Sequence, residues 1–389
     1  MTNRAKRWCW AVTLLACALL VLKSLVCRVY VVDTPSMEPT IQGTRPGGER
    51  VLVLFDHSAP ARGDLVVVLR PGDDTPAVKR VAGLPGERVQ IVDGDLLVRG
   101  KRLGPDEPRP RPIPVFDARW QDPEKAFPIP PAANASWKRA QGEWTFSAQV
   151  ASRLEYRGDV TDGYLDAEHA FVAGEIPVND LVLELELAQD DPGSRASLTL
   201  SESGDRFELL LELAADGRLT ARILRHAEDP TVAPEVLATR TLERGAPGWH
   251  RVRFANIDNS LIFERDGARA LVASYAENRF ARDDRLQVGH SLLPRATFGG
   301  ALGTLRFRGL ALARDLYYTQ RGEVATQVAK DLGPESYFLL GDNSSQSRDG
   351  REWGETRAEE LVGRPVRILW PLSHGRALEG AVPPPPRLP

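Results

Sequence analysis

The chain has 389 residues, which is enough for two or more domains that each bury a core of their own. The formal net charge of −3 provides no basic field for nucleic acid, so we expect no nucleic-acid partner. Cys9, Cys17 and Cys27 all lie in or beside one apolar N-terminal run, which leaves no Cys-based zinc site or disulfide framework elsewhere. The six histidines are scattered and form no HExxH pattern, so we expect neither a metal nor a cofactor.

A short basic segment and a long apolar run open the chain. Residues 1–7 carry three basic side chains, and residues 8–32 are apolar except at four positions. The uninterrupted part is 15 residues long, shorter than the ~20 needed to span a bilayer, but the side chain of Lys23 can snorkel and lengthen the span. Basic residues before the run predict that the N-terminus lies inside. No small-residue cleavage site follows, so we predict an uncleaved single-pass anchor in the cytoplasmic membrane, with everything from residue 33 outside.

Residues 33–40, Asp-Thr-Pro-Ser-Met-Glu-Pro-Thr, follow the apolar run directly. Pro35 and Pro39 fix their own φ angles and bias the preceding residues towards extended backbone. This pattern predicts that Ser36 lies on a non-helical stretch close to the membrane surface. The alternative interpretation is that a serine beside a proline is only a turn residue.

The middle of the chain differs in composition from both ends. Residues 109–143 are rich in proline and predict a linker without regular structure. Residues 144–315 contain many alternating segments with hairpin turns at Asp216-Gly217 and Asp266-Gly267, which predicts an antiparallel β-sandwich. The segment from Trp249 onward resembles the laminin-G/concanavalin class of sandwiches. Its ligand stays open: a glycan, a substrate or a partner protein. The proline-rich tail, 374–389, is predicted to be disordered.

A serine hydroxyl needs a base before it can act as a nucleophile. His57, the histidine nearest to Ser36 in sequence, lies in a Ser-Ala-Pro loop without an obvious orienting acid. Of the seven lysines, only Lys79 lies inside an apolar strand pattern, where burial would favour the neutral amine. The alternative interpretation is that Lys79 is a solvated strand residue.

Four sequence boxes resemble the conserved boxes of bacterial signal peptidase I, and they follow an N-terminal anchor in that family's order. They are residues 36–40 (SMEPT), 63–68 (GDLVVV), 78–87 (VKRVAGLPGE) and 341–354 (GDN through WG). The resemblance covers about residues 8–108 and 316–373. It implies a mostly β, antiparallel peptidase domain formed by 33–108 and 316–373, which the 144–315 sandwich interrupts.

The resemblance also implies an activity: a membrane-anchored Ser/Lys endopeptidase that removes signal peptides from exported preproteins with small residues at −3 and −1. Ser36 matches the family nucleophile and Lys79 its general base. Thr34 matches the residue whose hydroxyl joins the nucleophile's backbone N–H in the oxyanion hole.

Further residues of the last box have roles that the resemblance implies. Ser347 falls where the family has a serine that hydrogen-bonds the lysine, and Asp349 and Arg351 fall on a supporting ion pair. The box departs from the family pattern at Ser344, where many members carry Arg, and at Gly350, where many carry Ser.

Two other functions compete with this reading. The first is a membrane-anchored binding protein that acts through the sandwich and has an inactive peptidase half; an intact Ser36 and Lys79 argue against it. The second is a self-cleaving Ser/Lys repressor, which should lack the anchor and carry a DNA-binding module.

Overall fold

The computed structural model describes residues 26–56, 58–72, 75–189, 191–202, 205–227, 231–243, 245–276, 295–380 and 382–388. These residues form two compact units, and the chain crosses between the units five times. Unit 1 contains the described residues up to Lys101, Pro108–Pro110 and Tyr318–Val382. Unit 2 contains Arg102–Glu107, Arg111–Tyr317 and the chain end from Pro383.

Most of the described secondary structure is strand. In chain order the strands are β1 (Cys27–Val32), β2 (Glu49–Leu54), β3 (Leu65–Leu69), β4 (Pro76–Gly83), β5 (Arg88–Val92), β6 (Asp95–Val98), β7 (Lys101–Arg102), β8 (Ile113–Asp117), β9 (Trp137–Ala140), β10 (Glu143–Ala148), β11 (Ser152–Glu155), β12 (Tyr164–Leu165), β13 (Phe171–Val172), β14 (Leu181–Ala188), β15 (Arg195–Glu202), β16 (Asp205–Leu213), β17 (Leu219–His226), β18 (Glu235–Leu242), β19 (Trp249–Ile257), β20 (Ser260–Arg265), β21 (Ala268–Ser274), β22 (Arg295–Arg314), β23 (Lys330–Asp331), β24 (Ser336–Leu340), β25 (Thr356–Arg357) and β26 (Leu361–Trp370). The short helices are two α-helical turns, Pro123–Ala126 and Gly350–Trp353, and five 3-10 turns, Pro35–Met37, Pro131–Ala133, Ser344–Gln346, Ala358–Glu360 and Leu372–His374.

Unit 1 is built on a seven-stranded antiparallel sheet in the order β1-β2-β26-β3-β4-β24-β25. A second sheet, β23-β5-β6-β7, contains a hairpin between β5 and β6, in which Asp93 and Gly94 both have positive φ. The order shows why sequence-distant segments meet: β24 and β26, near the chain end, pair with β4 and with β2 and β3. The sheet therefore joins the segment 27–83 with the segment 336–370.

Strand β1 differs from the prediction, which places residues 27–32 at the end of the apolar anchor. Val29, Val31 and Val32 are β-branched, and the segment pairs along its whole length with β2. Hydropathy alone does not separate such a strand from the end of a membrane segment. Residues 1–25, which carry the rest of the predicted anchor, lie outside the described residues. Among the residues that are described, no helix has the length and apolar character that crossing a membrane requires.

Unit 2 is an antiparallel sandwich whose two layers share one strand, the 20-residue β22. The first half of β22 pairs with β15 and β11, and the second half pairs with β14, β10 and β8. Glycines allow β22 to turn between layers: Gly303 has φ +80, and a β-carbon on Gly300 would come within 2.4 Å of Phe146. Phe298 and Phe307, one on each half of the strand, are fully buried in the core between the layers.

The predicted linker, residues 109–143, belongs to unit 2 from Arg111 onward. Strand β8 pairs with β22, and β9 pairs with β10. Proline does not prevent this, because Pro114 lies near the end of the ladder while Val115, Phe116 and Trp137 bury apolar side chains in the core. The predicted tail is also ordered where it is described: Leu378 N donates to Val366 O in unit 1, and Leu388 N donates to Arg269 O in unit 2.

Candidate active site

The turn that carries Ser36 is short and tightly held. Pro35 begins a single 3-10 turn, Pro35–Met37, so the stretch is not wholly non-helical as predicted; proline is well suited to a first helical position. Thr34, just before the turn, is extended. The buried carboxylate of Glu38 closes the loop that follows, since it accepts hydrogen bonds from the backbone N–H groups of Gly43 (3.0 Å) and Thr44 (2.8 Å). Gly43 is required because a β-carbon there would lie 1.7 Å from the Thr34 carbonyl oxygen.

Lys79 lies in the middle of β4, opposite Val66 of β3, and only 2% of it is exposed. Its Nζ is 2.9 Å from Ser36 Oγ, a direct hydrogen bond between two residues that are 43 positions apart in sequence. Ser36 is itself buried. The structure therefore places the predicted nucleophile and the predicted base in contact, away from bulk water.

Burial lowers the pKa of Lys79 from 10.5 to about 8, because the apolar surroundings penalise the ammonium form. The carboxylates of Asp349 and Asp342 act in the opposite direction and raise this pKa, and the guanidinium groups of Arg70 and Arg351 lower it. A lysine with a pKa near 8 has a usable neutral fraction at neutral pH, unlike one in water.

Thr34 is exposed, and its Oγ1 lies 3.3 Å from Ser36 Oγ. Its hydroxyl is thus beside the atom that would bond to a scissile carbonyl carbon. This position allows a donor to reach the oxygen of that carbonyl from the same side as the nucleophile.

Asp342 connects three parts of the site. Its carboxylate accepts two hydrogen bonds from the Arg80 guanidinium, at 2.7 and 2.6 Å, and a third from the Thr40 hydroxyl. Both members of the Arg80–Asp342 pair are buried. The backbone N–H of the next residue, Asn343, donates to the Ser36 carbonyl oxygen at 3.2 Å. These bonds fix the serine turn to the strand that carries Lys79.

Asp349 and Arg351 form a buried, two-pronged ion pair, with Nε–Oδ1 and Nη2–Oδ2 distances of 2.8 and 2.7 Å. Arg351 also donates to the carbonyl oxygens of Thr319 (3.0 Å) and Ser344 (2.8 Å). Asp349 caps the short helix Gly350–Trp353 by accepting from the Arg351 N–H, and it accepts from the Gly341 N–H. The pair thus fixes the backbone of the last box.

Ser347 does not make its predicted bond to the lysine. Its Oγ is buried and has no hydrogen-bond partner among the described residues. Ser347 follows the 3-10 turn Ser344–Gln346, and its Oγ lies against Gly341, where a β-carbon would come within 2.1 Å. Ser344, which stands where many family members carry Arg, instead accepts a hydrogen bond from Arg351.

A match to a family model agrees with this geometry. The model described as "Signal peptidase, peptidase S26" matches residues 5–174 and 306–370, more than half of the chain. The chain belongs to this signal peptidase family.

Individual relatives are similar over a smaller part. Signal peptidase I S of Bacillus subtilis is 36% identical over 104 residues, which is 26% of this chain and 52% of the relative. Signal peptidase I of Bacillus caldolyticus is 35% identical over 112 residues, covering 28% and 57%, and signal peptidase I of Rickettsia akari is 28% identical over 123 residues, covering 26% and 46%. The chain thus spans about half the length of the curated relatives it matches.

Solved structures with some likeness include a carbohydrate-binding module from Bacillus subtilis, at 8% identity and a TM-score of 0.32, covering 46% of this chain and 90% of that one. A β-glucanase from Bacillus licheniformis has 9% identity and a TM-score of 0.30, covering 66% and 100%. TM-scores this low assign neither a fold nor a ligand to the present family member.

Sequence reasoning missed the Arg80–Asp342 pair and the Thr319 contacts of Arg351. Arg80 stands next to Lys79 in a family box, but its partner is 262 residues away, and only the pairing of β24 with β4 brings them together. His57, the rejected alternative base, lies outside the described residues. The Asp342 and Asp349 carboxylates are both engaged by guanidinium groups, so neither is arranged as a free metal ligand.

Proposed function

We propose that this chain is a membrane-anchored serine endopeptidase, a signal peptidase I that cleaves N-terminal signal peptides from exported preproteins. The observation that carries the proposal is the 2.9 Å contact between Lys79 Nζ and Ser36 Oγ inside a buried site. Family membership supports the reaction class, and the relatives' names support the substrate class.

The chemistry follows from the positions of three side chains. Ser36 Oγ attacks the scissile carbonyl carbon while its proton moves to the neutral Nζ of Lys79. The Thr34 hydroxyl and the Ser36 backbone N–H stabilise the resulting oxyanion. Protonated Lys79 then gives its proton to the departing amine, and the acyl-enzyme is hydrolysed by a water molecule that Lys79 deprotonates.

The substrates are preproteins with small residues at −3 and −1, as the family resemblance implies. The N-terminal apolar segment holds the protein in the cytoplasmic membrane, with the catalytic unit on the outer side. A signal peptide inserted in the bilayer would thereby reach a site next to its own membrane surface.

A preprotein cleavage assay tests the proposal. Purified full-length protein should cut a preprotein carrying Ala at −3 and −1, and Ser36→Ala should not. Ser345→Ala, a half-buried serine of the last box without contact to Lys79, is the matched control and should cut like the wild type. Equal cleavage by wild type and Ser36→Ala would remove Ser36 as the nucleophile. No cleavage by either folded protein would favour the binding-protein alternative.

The Thr34 hydroxyl should act on the chemical step rather than on binding. We expect Thr34→Val, which keeps the shape and removes the hydroxyl, to lower kcat by about 10²-fold or more with little change in KM. Thr34→Ser should retain most activity because it keeps the donor. Since Thr34 is exposed, both variants should unfold like the wild type. A Thr34→Val enzyme with unchanged kcat would remove Thr34 from the oxyanion hole.

A further inference from the structure

One end of the unit 2 sandwich contains a cleft between its two layers. The cleft has a volume of about 150 Å³. Its floor is made of core residues, among them Leu187, Leu211 and Phe263. Its rim is made of loops 214–217 and 245–248, in which small residues leave the mouth open to solvent. An engineered apolar cavity of ~150 Å³ binds benzene, so this cleft is large enough for one ring or one branched aliphatic group.

The strand pattern changes from apolar to polar at the mouth. Side chains alternate between the two faces along a strand. Going outward along the face that lines the cleft, Leu187 is followed by Gln189 after β14, Val252 by His250 on β19, and Phe263 by Arg265 on β20. The three outermost positions therefore carry an amide, an imidazole and a guanidinium where the pattern requires apolar residues. Polar residues at inward positions break the binary pattern, and such breaks are expected at functional sites.

The Arg265 guanidinium is hydrogen-bonded to an imidazole and has no closely paired carboxylate: its Nη2 lies 2.8 Å from His250 Nε2. Its side chain is 12% exposed, and its Nε is 3.6 Å from Asp266 Oδ2, too far for a hydrogen bond. The Asp266 carboxylate is engaged elsewhere, by His250 Nδ1 at 2.7 Å and by the Arg251 N–H at 2.9 Å. Desolvation lowers the pKa of Arg265, with Asp266 only partly opposing it. A largely buried cation whose counter-charge is shared with another group in this way attracts a further anion.

The walls of the cleft are shaped by the hydrogen bonds of Gln189 and by Gly245. Gln189 Nε2 donates to the carbonyl oxygens of Ser194 (2.8 Å) and Leu211 (3.1 Å), which ties the two layers at the cleft. A β-carbon on Gly245 would lie 2.1 Å from Arg265 Nη2, so glycine at this position leaves room for the guanidinium. These contacts fix the Gln189 amide at the cleft and let the Arg265 guanidinium lie directly against the 245–248 loop.

We propose that this cleft binds a small monocarboxylate with one aromatic or branched aliphatic group, its apolar part on the leucine floor and its carboxylate on Arg265. The site lies wholly in unit 2 and is independent of the peptidase chemistry.

Three probes with one ring and different charges test this proposal: phenylacetate, phenethyl alcohol and phenethylamine. Binding to the full-length protein in nanodiscs is measured by saturation-transfer NMR titration. We expect phenylacetate to bind at least about tenfold more tightly than phenethyl alcohol, because it adds a charge-assisted bond, and phenethylamine to bind most weakly.

Arg265→Gln should abolish the preference for phenylacetate and leave the affinity for phenethyl alcohol unchanged. Arg218→Gln is the matched control, since Arg218 follows the 214–217 loop but is exposed and paired with Asp216. Leu213→Trp should fill the cleft and weaken binding of all three probes. Equal affinities for the probes, an unchanged preference in Arg265→Gln, or no binding at all would overturn the proposal, and peptidase assays would be unaffected in each case.

Discussion

Replacing Lys79 with arginine should abolish signal-peptide cleavage as completely as replacing it with alanine, a loss of at least about 10³-fold in kcat/KM. A general base must accept a proton, and general base catalysis is worth roughly 10²–10⁴-fold. An arginine guanidinium stays protonated throughout the pH range in which the protein is folded, so it cannot take the proton from Ser36. Arginine at position 79 therefore keeps the positive charge and a similar side-chain length but cannot act as the base.

Two further variants separate chemistry from folding. Lys101→Arg, at an exposed lysine, should keep full activity. Lys79→Met fills nearly the same space without charge and should be inactive yet folded. Because the folded-state pKa of Lys79 (about 8) is below the unfolded value, burial of the ammonium costs stability at pH 7, and this cost disappears as the pH rises from about 8 to above 10.5. Substantial cleavage by the Lys79→Arg protein would return Lys79 to a structural role.

Breaking the ion pair beneath the site should produce the largest loss of stability. We expect Asp349→Asn to lower the free energy of unfolding by about 3–5 kcal/mol, because Arg351, which is 1% exposed, would keep a buried charge without its partner. Urea titration of the full-length protein measures this. Glu352→Gln is the control in the same helical turn: it breaks only the exposed pair with Arg348 and should cost no more than about 0.5 kcal/mol.

The same Asp349 variant carries an electrostatic signature that a purely structural role would not give. The Asp349 carboxylate raises the pKa of Lys79, so Asp349→Asn should shift the acid limb of the activity profile to lower pH in whatever fraction remains folded. If Asp349→Asn unfolded no more easily than Glu352→Gln, the pair would not be the support that its burial indicates.

The residues of the candidate site could be singled out through the family resemblance. Ser36 and Lys79 lie in compact sequence boxes, and Asp349 and Arg351 lie two positions apart in one box, whereas each residue taken alone also fits a turn or a solvated strand position. The antiparallel sheets were also predictable, since alternation along segments such as Leu181–Ala188 has a clear period of two.

Features that depend on distant pairing could not be predicted. The Thr40–Asp342 and Arg80–Asp342 bonds exist only because β24 lies beside β4. The sequence of strand β1 also fits a membrane segment, because valines suit both settings. The prolines of residues 109–143 predict irregular structure, but the apolar residues between them, Val115 and Phe116 among them, decide how the segment packs.

The pH dependence of kcat/KM on a preprotein substrate tests most directly the claim that neutral Lys79 is the base. The profile should fall about tenfold per pH unit below an apparent pKa near 8, the value that burial gives Lys79. The limb should keep its position in His57→Ala and His374→Ala. An acid limb near pH 6.5 that disappears in either histidine variant while Lys79 is intact would contradict the account.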